Sequence, residues 1–111
     1  MKDWASELPV AVTVSDKDGI ILYMNEKSKS TFADDGGEKL IGKSMFECHS
    51  RASQNKIQIM MDSRSSNIYT IQKKNKKKMI IQLPWFESGN FEGLVEFSVE
   101  LPNEIPHFSR D

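Results

Sequence analysis

The chain has 111 residues and a mass of 12.7 kDa, near the commonest size of one domain, which excludes an enzyme with a separate substrate lobe. Hydrophobic residues make up 38% and charged residues 28% of it, the proportions of an ordinary globular domain, so collagen-like, membrane-embedded and wholly disordered chains are excluded. Fifteen Lys and Arg against sixteen Asp and Glu leave a formal charge of -1, too little to draw the whole chain onto nucleic acid or acidic lipid.

The start places Asp3 and Glu7 ahead of a short apolar run broken by Pro9 and Thr13, which is not the pattern of a signal peptide. No run approaches the ~20 apolar residues that a bilayer helix needs. The lone Cys48 makes no internal disulfide, and the expectation is a cytoplasmic protein without a membrane partner.

In chain order, Val10, Val12 and Val14 alternate with Ala11, Thr13 and Ser15, and Ile20 to Met24 resumes the apolar run after Asp16-Lys17-Asp18-Gly19. This predicts a hairpin, with Gly19 taking the positive φ of the turn and Asp18 bonding the turn backbone. Asn25 stands where a side-chain oxygen caps a helix, here a short one ending near Phe32. Asp34 to Gly37 reads as a loop and Glu38 to Ile41 as a helical turn. Between Ser53 and Arg64, Ile57, Met60 and Met61 share one face of a longer helix and Ile59 lies off it.

The period then changes to two. Tyr69 and Ile71, then Met79, Ile81, Leu83 and Trp85, then Val95, Phe97 and Val99 occupy odd positions, with Thr70, Gln72, Gln82, Glu96, Ser98 and Glu100 at even ones. Three half-buried antiparallel strands follow, joined by hairpins at Asn75 and at Ser88-Gly89-Asn90. The class is α+β, with helices on one side of an antiparallel sheet. The chain divides into an N-terminal segment 1–8, a domain 9–101 and a tail 102–111, where Pro102 and Pro106 oppose a continuous helix.

The run Asp16-Lys17-Asp18-Gly19-Ile20-Ile21-Leu22-Tyr23-Met24-Asn25, then Phe32, then Leu40-Ile41-Gly42-Lys43-Ser44-Met45-Phe46, and Gly93 after a polar hairpin, resembles a PAS domain. The likeness covers about Leu8 to Leu101. Cys48-His49 ahead of the long helix is most similar to a subfamily of small stand-alone PAS proteins, although Ser50 stands where that subfamily usually has Pro. The resemblance implies a five-stranded sheet in the order 2-1-5-4-3, helices over one face, an apolar cavity between them that takes small ligands or cofactors, and dimers that pass the change to a partner or an attached effector.

The candidate residues fall into separate groups. Cys48 is out of register with the flavin-bonding cysteine of light-sensing PAS domains, where Met45 stands instead. No cofactor is therefore expected; the alternative is haem held by His49, although His49 precedes the helix that carries the axial ligand in haem-binding PAS domains. His49, His107 and Cys48 make no zinc-like set. Lys73, Lys74, Lys76, Lys77 and Lys78 crowd one hairpin tip without an aromatic residue to stack on bases, so no nucleic-acid partner is expected. No triad, carboxylate pair or phosphate loop supports catalysis.

Taking the odd, apolar set of the late strands as inward predicts a cavity lined by Val12, Leu22, Met24, Phe32, Met45, Phe46, Ile57, Met60, Met61, Tyr69, Ile81 and Phe97. The same residues serve equally to fill a core. The opposite sheet face then shows Ile21, Tyr23, Ile68, Ile80 and Leu94, with Trp4 beside them, as the surface of a homodimer. Two functions fit. One is a non-enzymatic sensory domain that binds an unknown small molecule and signals in trans to a second copy or a signalling protein; the other is a ligand-free dimerisation scaffold.

Overall fold

The computed structural model describes residues 3–48 and 51–111. Its elements are β1 (Ala11–Ser15), β2 (Ile21–Met24), α1 (Glu26–Thr31), three 3-10 turns (Ala33–Asp35, Gly37–Leu40 and Met45–Cys48), α2 (Arg51–Ser63), β3 (Asn67–Lys73), β4 (Lys76–Glu87) and β5 (Asn90–Glu100). The strands form one antiparallel sheet in the order β2-β1-β5-β4-β3. This is the α+β architecture expected, with the last strand in the centre.

Short-range chemistry sets the first hairpin. Asp16 Oδ1 accepts from the amides of Asp18 (2.8 Å) and Ile20 (3.0 Å), and Gly19 turns the chain at φ +83°. The side chain that organises the turn is thus Asp16, not Asp18, because an Asx oxygen reaches amides ahead of it in the chain. Both late hairpins have two consecutive positive-φ residues, Lys74-Asn75 and Ser88-Gly89, the handedness that matches the twist of paired strands.

Asn25 does more than cap α1. Its Oδ1 accepts from the amides of Ser28 and Val12, both at 2.9 Å, while Nδ2 donates to the carbonyls of Ala5 and Val10, both at 2.8 Å. All four hydrogen-bonding positions of a side-chain amide are used, and Asn25 is only 2% exposed. One buried amide therefore joins the N-terminal segment, β1 and α1. Glu26 adds a backbone bond to the Ser6 carbonyl at 3.0 Å.

Gly93 lets β5 lie against the end of β1. Its φ is +151°, and a Cβ there would collide with the Ser15 carbonyl oxygen. That oxygen also accepts from Trp85 Nε1 at 2.9 Å. On α2, Ile57, Met60 and Met61 are buried, as their spacing predicts, and Ile59 is exposed. They pack on Leu94 with Met45, Phe46 and Phe91, beside a second group of Ile21, Met24 and Leu40 with Phe32 and Met45.

In β1, β4 and β5 the inward phase is the reverse of the sequence expectation, whereas β3 keeps the expected phase, with Tyr69 on the helix side and Ile68 on the outer face. Thr13 pairs with Glu96, Glu96 with Gln82, and Gln82 with Asn67, and it is this polar row that faces the helices, with Ile80 and Leu94 buried on the same side. Val12, Ile81 and Phe97 belong to the opposite row, with Ile68. Both rows contain large apolar residues, so alternation separates them without saying which one the helices cover. In β2 the register slips: Ser15 pairs with Ile21 but Val14 with Tyr23. The extra residue, Leu22, is 49% exposed, whereas Ile21 and Met24 both turn to the helix side.

Candidate functional site

A cavity of about 150 Å³ lies between the sheet and the helices. Thr13 and Ser15 of β1, Ile21 and Met24 of β2, Gln82 of β4, and Leu94 and Glu96 of β5 form its floor. Phe32, Asp35, Leu40 and Met45 from the middle of the chain, with Ile57 and Met60 of α2, close it over. Five of the expected lining residues are there: Met24, Phe32, Met45, Ile57 and Met60.

The others stand elsewhere for identifiable reasons. Tyr69 lines an adjoining groove with Ser53, Lys56 and Asn67. Phe46 and Met61 pack in the core beside the cavity. Leu22 is the bulged, exposed residue of β2, and Val12, Ile81 and Phe97 lie on the far face of the sheet. Of the expected interface residues, Ile21 and Leu94 are cavity wall and Ile80 is buried on that same side. Tyr23 and Ile68 keep the outer face, and Trp4 is 69% exposed. The reversed strand phase accounts for Ile80 and Leu94, and the slip in β2 for Ile21.

The residues missed were Thr13, Ser15, Asp35, Leu40, Gln82 and Glu96. Polar residues at even positions of three strands read as a solvated face, yet their cross-strand alignment holds a network. Gln82 Nε2 donates to Glu96 Oε1 at 2.8 Å, and Asn67 Nδ2 donates to Gln82 Oε1 at 3.1 Å. Thr13 Oγ1 and Ser28 Oγ lie 2.6 Å apart. Glu96 and Gln82, with Ile57 and Met60, line both the cavity and the more polar groove beside it.

Two tyrosines carry displaced titrations. Partial burial, then the hydrogen bond from its hydroxyl to Asp3 Oδ2 (2.6 Å), then the charges of Asp3 and Glu26 push Tyr23 up to about 12. Burial and then the Glu96 carboxylate raise Tyr69, against a smaller opposing effect of Gln82.

His49 lies outside the described residues, so the haem alternative has no geometry. Cys48 ends the third 3-10 turn. Among the described residues no group of three or more His, Cys, Asp or Glu is placed to hold a metal ion, and no helix is long and apolar enough to cross a membrane. The lysine-rich tip is exposed, and Lys76 reaches Glu100 at 3.9 Å.

No protein-family model matches the sequence, and no curated protein matches it. Solved structures do. A C-terminal domain from Streptococcus mutans aligns with a TM-score of 0.70 at 19% identity, covering 86% of this chain and 78% of that one. The PAS domain of BvgS from Bordetella pertussis aligns at 0.65 and 17% identity over 89% of this chain and 82% of that one. VqmA in a structure bound to DPO aligns at 0.66 and 18% identity, covering 86% of this chain and 54% of that chain. The fold is the PAS fold, with the strand order to match.

Proposed function

We propose that this chain is a cytoplasmic, non-catalytic sensory module that takes a small molecule into its cavity and passes the change in trans. The observation that carries the reading is the cavity itself, about 150 Å³, apolar over most of its wall with a few polar groups among the lining residues. That combination fits a ligand site: apolar walls supply affinity and a few polar groups fix orientation. VqmA, which shares the fold, is bound to DPO in one solved structure, and BvgS contributes a domain named for the same fold.

The surface proposed for output is the outer row of the sheet: Val14, Ile81, Leu83, Val95 and Phe97, all half-buried, with Ile68 beside them. The occupant proposed is a second copy of this chain. The row has no charged residue, so two copies meet without like-charge repulsion, and an apolar patch of this kind marks an interface. The tail after Leu101 has no regular element, and Pro102 and Pro106 oppose an output helix. The output proposed is through paired sheets or contacts with a separate protein.

The same outer row favours a second reading, the ligand-free dimerisation scaffold. Native mass spectrometry of freshly purified protein, with an absorbance spectrum and a thermal-shift screen, separates the two. The sensor reading expects a dimer that carries, or is stabilised by, a compound of the cavity's size. A dimer that carries nothing and that no such compound stabilises would leave the scaffold.

A further inference from the structure

The cavity has a chemical polarity that its size alone does not convey. Gln82 turns its NH2 to Glu96, donating from Nε2 to Oε1. Its carbonyl oxygen then faces Asn67, which in turn must present its own NH2, matching the 2.8 and 3.1 Å contacts. The row therefore runs one way, from donor to acceptor, and ends on the Glu96 carboxylate at the cavity wall. Asp35 also lines the chamber, at an exposed position.

Among the described residues no Lys, Arg or His lines the chamber. Lys56 belongs to the adjoining groove, and among the described residues neither Glu96 nor Asp35 is in an ion pair. The remaining polar groups are uncharged: Thr13 bonds Ser28, and Ser15 Oγ accepts from the Leu94 amide. Glu96 thus offers the chamber a carboxylate acceptor, and an ammonium group is a donor that matches it.

Resting on the ligand-binding reading above, we propose that the cavity selects a small primary amine with a compact apolar body, its ammonium donating to Glu96 and facing Asp35. A volume of about 150 Å³ is that of an apolar cavity that takes benzene, so the body is on the order of one six-membered ring. Ile57, Met60 and Leu94 receive that body.

The test uses three molecules of nearly one shape: benzylamine, benzyl alcohol and benzoate, titrated into the full chain at pH 7 by calorimetry and by amide NMR shifts. Benzylamine is expected to bind about tenfold more tightly than benzyl alcohol, the margin of a charge-assisted over a neutral hydrogen bond, with benzoate weakest. Glu96→Gln should bring the amine to the affinity of the alcohol and change the alcohol less than threefold. Asp35→Asn, at an exposed position, should weaken the amine about threefold and supplies a folded control if Glu96→Gln is unstable. Equal binding of amine and alcohol, tighter binding of benzoate, or an amine preference that survives both substitutions would overturn the proposal and leave the cavity as a ligand site. Failure of all three probes to bind would overturn the ligand-site reading with it.

Discussion

Gly93→Ala should be among the most damaging single-methyl additions in the molecule. The new Cβ would collide with the Ser15 carbonyl oxygen and sit 2.7 Å from the Asp16 carbonyl carbon, both backbone atoms that no rotamer change moves aside. The φ of +151° is also one that a residue with a Cβ adopts only under strain. Relief requires β5 to part from the end of β1, which breaks the Trp85 indole bond to Ser15 at 2.9 Å. Forced overpacking costs about 1–3 kcal/mol, backbone strain about 1–2 kcal/mol and a lost hydrogen bond about 1 kcal/mol. Together they make roughly 3–6 kcal/mol, a large share of the ~5–15 kcal/mol that holds a domain. At roughly 4 °C per kcal/mol for a domain of this size, Tm should fall by about 12–24 °C. Gly89→Ala is the control: its φ is +81° with nothing within 4 Å of the added methyl, so only local strain of ~1 kcal/mol is incurred. Calorimetry or circular dichroism melting of both variants decides the matter. A Gly93→Ala protein that melts with Gly89→Ala would refute the close approach of β1 and β5.

Asn25→Ala should cost about 3 kcal/mol or more in urea titration, because four backbone groups of three segments lose a buried partner at once; a loss near 1 kcal/mol would mean that the amide acts only as a helix cap. Phe97→Glu should give a folded monomer in sedimentation velocity at micromolar concentration, whereas Ile80→Glu, at a position 7% exposed on the helix side, should fail to fold; a wild-type chain that sediments as a monomer throughout would remove the proposed pairing. Tyr23 holds its proton more tightly folded than unfolded, so its contribution to stability is complete below pH 10 and is lost as pH rises toward about 12. Absorbance titration should show one tyrosine ionising near that upper value, and Asp3→Asn should lower it; an unchanged titration in Asp3→Asn would remove the Tyr23–Asp3 contact.

What was readable in the sequence was what neighbouring residues decide. Asn25 as a cap, Gly19 as a turn and the Ile57-Met60-Met61 face of α2 each depend on chemistry within a few positions, and each stands in the structure as read. The cavity wall depends on which sheet face the helices cover. Ile81, Leu83 and Phe97 are as apolar as Ile80 and Leu94, so hydrophobicity gave the alternation and the wrong sign. The decisive information was non-local: Gly93 admitting the Ser15 carbonyl, and Gln82 aligned with Glu96 and Asn67. Polar residues on a strand are ordinarily taken as solvated, and only their register reveals a chain of bonds inside. The slip that places Ile21 and Met24 on one side of β2 has no signature in composition.

The position of β5 also governs the order in which the molecule can be assembled. β1 pairs on one edge with β2, close in sequence, and on the other with β5, joining Ala11 to Ser98. During synthesis the first hairpin emerges long before the strand that completes it, and loops of that span are slow to close. Until then the free edge of β1 is open to the strands of other nascent chains. The long β4–β5 hairpin, folding locally from its Ser88-Gly89 turn, is the natural template onto which the waiting first half docks. Refolding from denaturant should accordingly be slower and more concentration-sensitive than a helical protein of equal length, and aggregation should begin at β1.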